Sequence, residues 1–272
     1  MGHVSSAPGR ANAKTFALLD QIVTVLGGTK QSFWPFLNGV GGNTYPYGSG
    51  NDGILLATNA STLELVFDPA QHVGGIYSYM NDSATANLAA ADNANFSFGD
   101  SSIDSPFSIG IWVLMQEALG TERALMAKYG ETATAKEYWF GITTAGKLQM
   151  VLLDESVVGD ATEVALSTGT AITPWIWQFC VMTYDGGETA PVVNLYINAT
   201  SVHDGTTAET NAYVAMEDLG ASLMIGANDA TGTAADVFQG RMALPFITGK
   251  ELTAAEVTTL YGIGQRLLGL AD

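Results

Sequence analysis

The sequence predicts an all-β fold: one antiparallel β-sandwich with a short helix ahead of it and a second at its end. Three observations predict it. From Phe33 onward the chain is a succession of apolar, aromatic and β-branched runs, such as Phe107-Ser-Ile-Gly-Ile-Trp-Val-Leu-Met115. Turn-forming groups separate the runs, among them Thr144-Ala145-Gly146, Asp185-Gly186-Gly187 and Asp204-Gly205. Short strands at this spacing, with few helical signals between them, indicate a sandwich or barrel. The composition is 47% hydrophobic and only 14% charged, against roughly 25% charged in an average domain. Such a chain covers itself with Thr, Ser, Asn, Ala and Gly. At 272 residues it exceeds the usual single domain, yet sandwiches run to this length as one unit.

The elements follow in order. Residues 1–14 are small and polar and read as an arm. Residues 15–26 (TFALLDQIVTVL) set Phe16, Leu19, Ile22, Val23 and Leu26 on one face at helical spacing. Thr15 is the expected cap, and Gly27-Gly28 ends the helix. Two readings of this helix stay open: it packs on its own sandwich, or it docks on a neighbouring subunit. The second predicts that a chain lacking residues 1–28 still folds but no longer assembles. Two units result, an arm and helix over residues 1–30 and a sandwich over 31–272.

Predicted strands cover Phe107 to Met115, Ala124 to Lys128, Tyr138 to Thr143, Lys147 to Leu153, Ile176 to Tyr184, Val192 to Ile197, Ser222 to Ile225 and Gln239 to Thr248. The last helix opens at Thr253 with Glu256 three residues on, the pattern of a capping box.

Charge and rare residues remove several function classes. Ten Lys and Arg oppose 27 Asp and Glu, a net charge of −17. A nucleic-acid track needs clustered cations, so nucleic acid is not an expected partner. The N-terminal residues lack the apolar core of a secretory signal, and no run reaches the roughly 18 apolar residues of a membrane span. The single cysteine, Cys180, sits in an apolar run and reads as a small buried hydrophobe. The histidines are His3, His72 and His203; the last two lie in polar, turn-like stretches, leaving no scaffold base for a serine or cysteine nucleophile. Asp154 and Glu155 are adjacent and point to opposite faces of a strand, and Glu117 and Glu122 flank a loop. No catalytic residue is therefore expected. Trp139, Trp175 and Tyr213 are the candidate glycan contacts, although Trp139 lies on a strand apolar on both faces and also suits a core.

The order of motifs resembles the laminin G-like, concanavalin A-like lectin/glucanase superfamily. The carriers are Phe33-Trp34-Pro35-Phe36 with Gly48 to Gly53, Asp92 to Gly99 with Ser105 to Trp112, and the hairpin Tyr138 to Leu148. Trp177 to Gly186, Asn194 to Asn198, Leu223 to Gly226 and Phe238 to Met242 follow, and Leu252 to Glu256 closes the set. The resemblance spans about residues 33–262 and implies a lectin-like jelly roll. The glucanase string Glu-x-Asp-x-x-Glu is absent, and Arg241-Met-Ala-Leu-Pro-Phe246 lacks the acid common in the family's closing strand.

The resemblance also implies calcium at the rim, for which Asp92, Asp100, Asp104, Asp229 and Asp236 are the candidates. Without a secretory signal or a cysteine framework, the chain resembles bacteriophage particle proteins more than secreted ectodomains. The resulting expectation is a non-catalytic virion structural protein, a capsid decoration, cement or fibre-base subunit at the virion surface. Its partners would be capsid protein or copies of itself. The alternative is a glycan-binding lectin or adhesin, calcium-assisted or not.

Overall fold

The computed structural model describes residues 13–28, 30–37, 43–44, 47, 56–58, 64–66, 76, 78–81, 87–130, 135–157, 161–187, 192–230 and 233–270. His3, His72 and the glycine-rich turn over 48–53 lie outside them. Helix α1 (Ala13–Leu26) precedes β1 (Gln31–Phe33), β2 (Asn43–Thr44), β3 (Leu56–Thr58), β4 (Glu64–Val66), β5 (Ser78–Asn81) and β6 (Leu88–Ala90). The body of the fold is β7 (Phe107–Met115), β8 (Arg123–Gly130), β9 (Ala135–Ile142), β10 (Lys147–Asp154), β11 (Ala161–Ala171), β12 (Trp177–Tyr184) and β13 (Val193–Ile197). Then come β14 (Thr200–Ser201), β15 (His203–Thr210), β16 (Leu223–Ile225), β17 (Asn228–Ala230), β18 (Thr233–Ala235), β19 (Gly240–Thr248) and helix α2 (Ala254–Leu267).

These strands form two sheets. The smaller runs β14-β13-β12-β7-β19-β5-β4, with β1 against β19. The larger runs β15-β11-β10-β9-β8-β16-β6-β3-β2, with the β17–β18 hairpin beside β8. The predicted all-β sandwich is therefore present, and β7 has the predicted bounds. β11 and β15 were not predicted. They pair with each other at one edge of the larger sheet. Their sequences, ATEVALSTGTA and HDGTTAET, are Thr-rich with few large apolar groups, so no apolar alternation marks them.

The main core lies between the sheets. Ile109, Ile111, Val113, Cys180 and Met182 from the smaller sheet meet Tyr138, Phe140, Leu148, Met150 and Leu152 from the larger. Burial pushes the Cys180 thiol pKa up, so it packs as an apolar group and does not ionise. A second core covers the outer face of the smaller sheet. Trp112, Phe179, Val181, Leu244 and Phe246 on that face meet Leu18, Leu19, Ile22 and Leu26 of α1 and Val257, Leu260, Ile263 and Leu267 of α2. This third layer explains why β7, β12 and β19 read as apolar on both faces: both faces are covered.

The structure selects the first reading of α1 and corrects the docking assignment. Leu19, Ile22 and Leu26 are buried against the chain's own sheet, and Val23 packs partly against the same cluster. Phe16 points outward at 39% exposure and stacks on Tyr47, with centroids 6.2 Å apart. The C-terminal carbonyls of α1 are bonded from the end of β19: Thr248 Oγ1 donates to Leu26 O at 3.0 Å, and Lys250 Nζ donates to Val25 O at 3.3 Å. Thr15 is not a cap. It is buried within the first turn of a helix that begins at Ala13. The Thr253–Glu256 capping box is present in both directions.

Helix α2 approaches the sheet closely at Gly264. A Cβ there would stand 2.2 Å from Trp112 Nε1. Trp112 cannot retreat easily, because it is stacked on Tyr261 at 5.4 Å and on Phe179 at 5.2 Å. Gly264→Ala is expected to cost about 1–3 kcal/mol through overpacking, read as a lowered urea midpoint with an unchanged slope.

Candidate functional site

The outer face of the larger sheet carries a groove of about 360 Å³. Its floor starts from Trp139. On β9 this residue stands between Ala127 of β8 and Val151 of β10. Ala124 and Ala127 are small, which leaves room for an indole to lie down on the sheet, and Tyr129 and Val151 pack around it. Gly141, two residues on and so on the same face, completes the bed. A Cβ at Gly141 would fall 2.4 Å from Trp139 Cη2 and 2.3 Å from Arg123 O. The indole thus lies along its own strand over a glycine. Gln149, Leu153 and Thr162 extend the floor across β10 and β11.

One wall comes from the β17–β18 hairpin and the residue after it. Asp236 adopts a positive φ of 47°, and its carbonyl accepts from Ala124 N at 2.7 Å, which ties the wall to β8. Asn228 Nδ2 donates to Asp236 Oδ2 at 3.0 Å. That bond fixes the amide and leaves Oδ1 as its acceptor end. Asn228 Oδ1 and Trp139 Nε1 are both buried and find no hydrogen-bond partner among the described residues. Both residues line the groove. Buried polar atoms are nearly always paired; these two lie beneath the groove lining, with less than 1 Å² of accessible surface each. Glu122 and Asp236 are the charged lining residues; Arg123, beside Glu122, is clamped by both carboxylate oxygens of Glu117.

The other glycan candidates are elsewhere. Trp175 is 64% exposed at a loop tip with φ 70°, its N–H donating to Met115 O at 2.8 Å, and it does not line the groove. Tyr213 is a core residue. Its ring is buried between the sheets and its hydroxyl donates to Asp104, so it is not open to a glycan.

The five aspartates do not gather. Asp92 pairs with Lys128 at 2.9 Å, and Asp100 accepts Ser102 N and Ile103 N, each at 2.9 Å, within its own turn. Asp104 is buried and accepts from Tyr184 Oη, Tyr213 Oη and Met216 N. Asp229 lies on β17, and Asp236 holds Asn228. Among the described residues, no group of three or more His, Cys, Asp or Glu is placed to hold a metal ion. The rim set implied for calcium is therefore not assembled: four of its members already serve protein donors.

Sequence reasoning missed Tyr129, Gln149 and Asn228. The one available signal was Trp139 followed by Gly141, an aromatic with a glycine two positions on along a strand.

A three-layer antiparallel sandwich with an aromatic-floored groove across one sheet defines a lectin-like binding domain. Residues 82–258 match the concanavalin A-like lectin/glucanases superfamily, and the chain belongs to it. No curated protein sequence matches the chain. Among solved structures it is similar to the binding domain of Paraclostridial Mosquitocidal Protein 1 (TM-score 0.57, 16% identity, 84% of this chain and 51% of that one). It is also similar to the botulinum neurotoxin serotype G binding domain (TM-score 0.58, 14% identity, 88% and 51%) and to the receptor binding domain of botulinum neurotoxin D (TM-score 0.58, 12% identity, 89% and 54%). The chain thus spans about half the length of these structures.

Proposed function

We propose that the chain is a non-catalytic glycan-binding module whose ligand lies in the groove over Trp139. The observation that carries this reading is the groove itself, floored by the Trp139 indole and lined by Tyr129, Gln149, Thr162, Asn228 and Asp236. A sugar suits a groove of mixed polar and apolar lining, since each hydroxyl donates and accepts. The indole and Tyr129 supply apolar surface for the C–H face of a pyranose. Membership of a lectin-bearing superfamily supports the reading. The virion-surface setting rested mainly on the lack of a secretory signal and of a cysteine framework, with the helical arm as support. With Leu19, Ile22 and Leu26 occupied inside the chain, the arm no longer supports it, and the proposal is confined to glycan binding.

Trp139→Phe tests it without emptying the floor. The substitution keeps a ring and deletes the orphaned N–H. Unfolding stability should stay level or rise slightly, because no unpaired donor remains buried. Glycan affinity, found on an array and measured by calorimetry, should fall about five- to tenfold, about 1 kcal/mol, as the smaller ring offers the sugar less apolar surface. An array blank with and without calcium, or a Trp139→Phe protein that binds as well as the parent, would overturn the reading. Release of new reducing ends from a bound glycan would overturn its non-catalytic part.

A further inference from the structure

We infer that Lys128 and Asp92 join covalently, amine to carboxyl, in an isopeptide bond whose formation Glu137 assists by relaying protons. The site starts from a β-bulge. Lys128 of β8 faces Tyr138 of β9, but Tyr129 faces Lys136, so Glu137 has no partner across the ladder. An extra residue of this kind re-aims its side chain. Glu137 is fully buried, and its Oε1 meets Lys128 Nζ. Asp92, on the segment after β6, places Oδ1 2.9 Å from the same nitrogen. Asn93 Oδ1 accepts from Asn95 N at 2.9 Å and so holds the turn that carries Asp92. None of the three residues lines the groove over Trp139, so the bond is independent of glycan binding.

The surroundings favour condensation. Groups held in line inside a fold react as if at roughly 10⁵–10⁸ M. Charges kept out of water carry a heavy desolvation cost, and one neutral amide in place of an ammonium and a carboxylate removes two of them. Lys128 Nζ also donates to Leu219 O, an acceptor for the one N–H that the amide retains. Glu137 Oε2 is buried with no hydrogen-bond partner among the described residues, so a proton has a place to rest. Burial holds this carboxyl up at about 7, where it both takes and gives a proton near neutral pH. Lys30, the cation beyond Ser97, is engaged: its Nζ donates to Ser97 O at 2.7 Å.

The step balances within the chain. Glu137 takes a proton from the Lys128 ammonium, and the freed amine attacks Asp92 Cγ. An Nζ–Cγ bond forms, and one C–O bond of the carboxyl breaks. Two protons leave the nitrogen in all and reach the departing oxygen, which leaves as water. Glu137 ends as it began, and nothing is oxidised or reduced. The Asp92 side chain is 42% exposed, so water competes for its carboxyl and closure is slower than folding. The freshly folded chain carries the ion pair, and the aged chain carries the bond. Closure ties β8 to the segment that leads from β6 to β7.

Intact-mass spectrometry of the full chain, fresh and after several days near neutral pH, tests this. The aged chain is expected to be lighter by one water, and its digest in denaturant to contain the peptides of Asp92 and Lys128 joined through their side chains. Asp92→Asn should reach the same joined product by losing ammonia instead. Lys128→Met should keep its full mass, as should Asp92→Ala, which alters a partly exposed side chain and leaves the buried pair in place. Glu137→Gln should close about a hundredfold more slowly. An aged parent chain of full mass would overturn the inference. So would a loss of water without joined peptides, the mark of a cyclised aspartate. Closure of Glu137→Gln at the parental rate would overturn the relay.

Discussion

A chain lacking residues 1–28 is expected not to fold. The deletion removes α1, whose Leu18, Leu19, Ile22 and Leu26 are buried against the smaller sheet. Each such side chain is worth about 1.5–3 kcal/mol of burial, so together they contribute roughly 6–12 kcal/mol. A domain has only about 5–15 kcal/mol in total. The deletion also strips cover from Phe33, Leu244 and Phe246, and leaves Thr248 Oγ1 without the carbonyl it bonds. Far-UV circular dichroism and a urea titration would show a weak, broad transition or none. A sharp transition at the parental midpoint would mean that the helix is an accessory. A milder form of the same experiment is Leu19→Ala, expected to cost about 2–5 kcal/mol.

Breaking the buried pair of Lys128 and Glu137 is expected to cost about 3–5 kcal/mol from either side, because the remaining charge is stranded. Both side chains are fully buried. Glu137 Oε1 accepts from Lys128 Nζ, Leu219 N and Ser97 Oγ, and Lys128 Nζ also donates to Leu219 O and pairs with Asp92. Lys128→Met and Glu137→Leu should each lower the unfolding free energy by that amount. The double variant should lose less than the sum, since no lone charge stays inside. Additive losses would show that the two groups act independently.

The pair also gives a pH signature. Burial holds the Glu137 carboxyl up at about 7, although Lys128, Leu219 N–H and Ser97 pull it down. A carboxyl raised above its ordinary value makes the fold bind more protons than the unfolded chain over that window. Its contribution is fully present below about 4.5 and is lost as pH rises through about 7. Carboxylates held low, such as Asp154 with its Ser156 and Val214 donors, pull the other way at more acid pH. Relative to the parent, the double variant should therefore gain stability between pH 5 and 8.

Much of the sandwich was legible because its central strands carry large apolar groups on both faces. Phe107 to Met115 was readable to the residue, since a nine-residue apolar run has no other use here. The capping box at Thr253 was readable for the same reason of locality: donor and acceptor sit three residues apart. What failed was non-local. Tyr213 looked like a surface aromatic in a polar stretch, and only the fold brings Asp104 beneath its hydroxyl. Asp92 looked like a rim ligand, and only the fold delivers Lys128 to it. Asn228 carries no pattern at all until the hairpin turns it over β8. The groove was half legible: Trp139 was named, but its setting depends on small residues of a neighbouring strand.

The two helices lie on the smaller sheet, and the groove crosses the opposite side of the molecule. Copies fixed to any support through their helical side would present every groove outward and in parallel. On the proposed reading, a shallow site of this kind would hold one sugar weakly. An array of copies facing one way would add those weak grips into avidity wherever a repetitive polysaccharide offers residues at matching intervals. Retention on a densely substituted surface would then far exceed what a single groove in solution predicts.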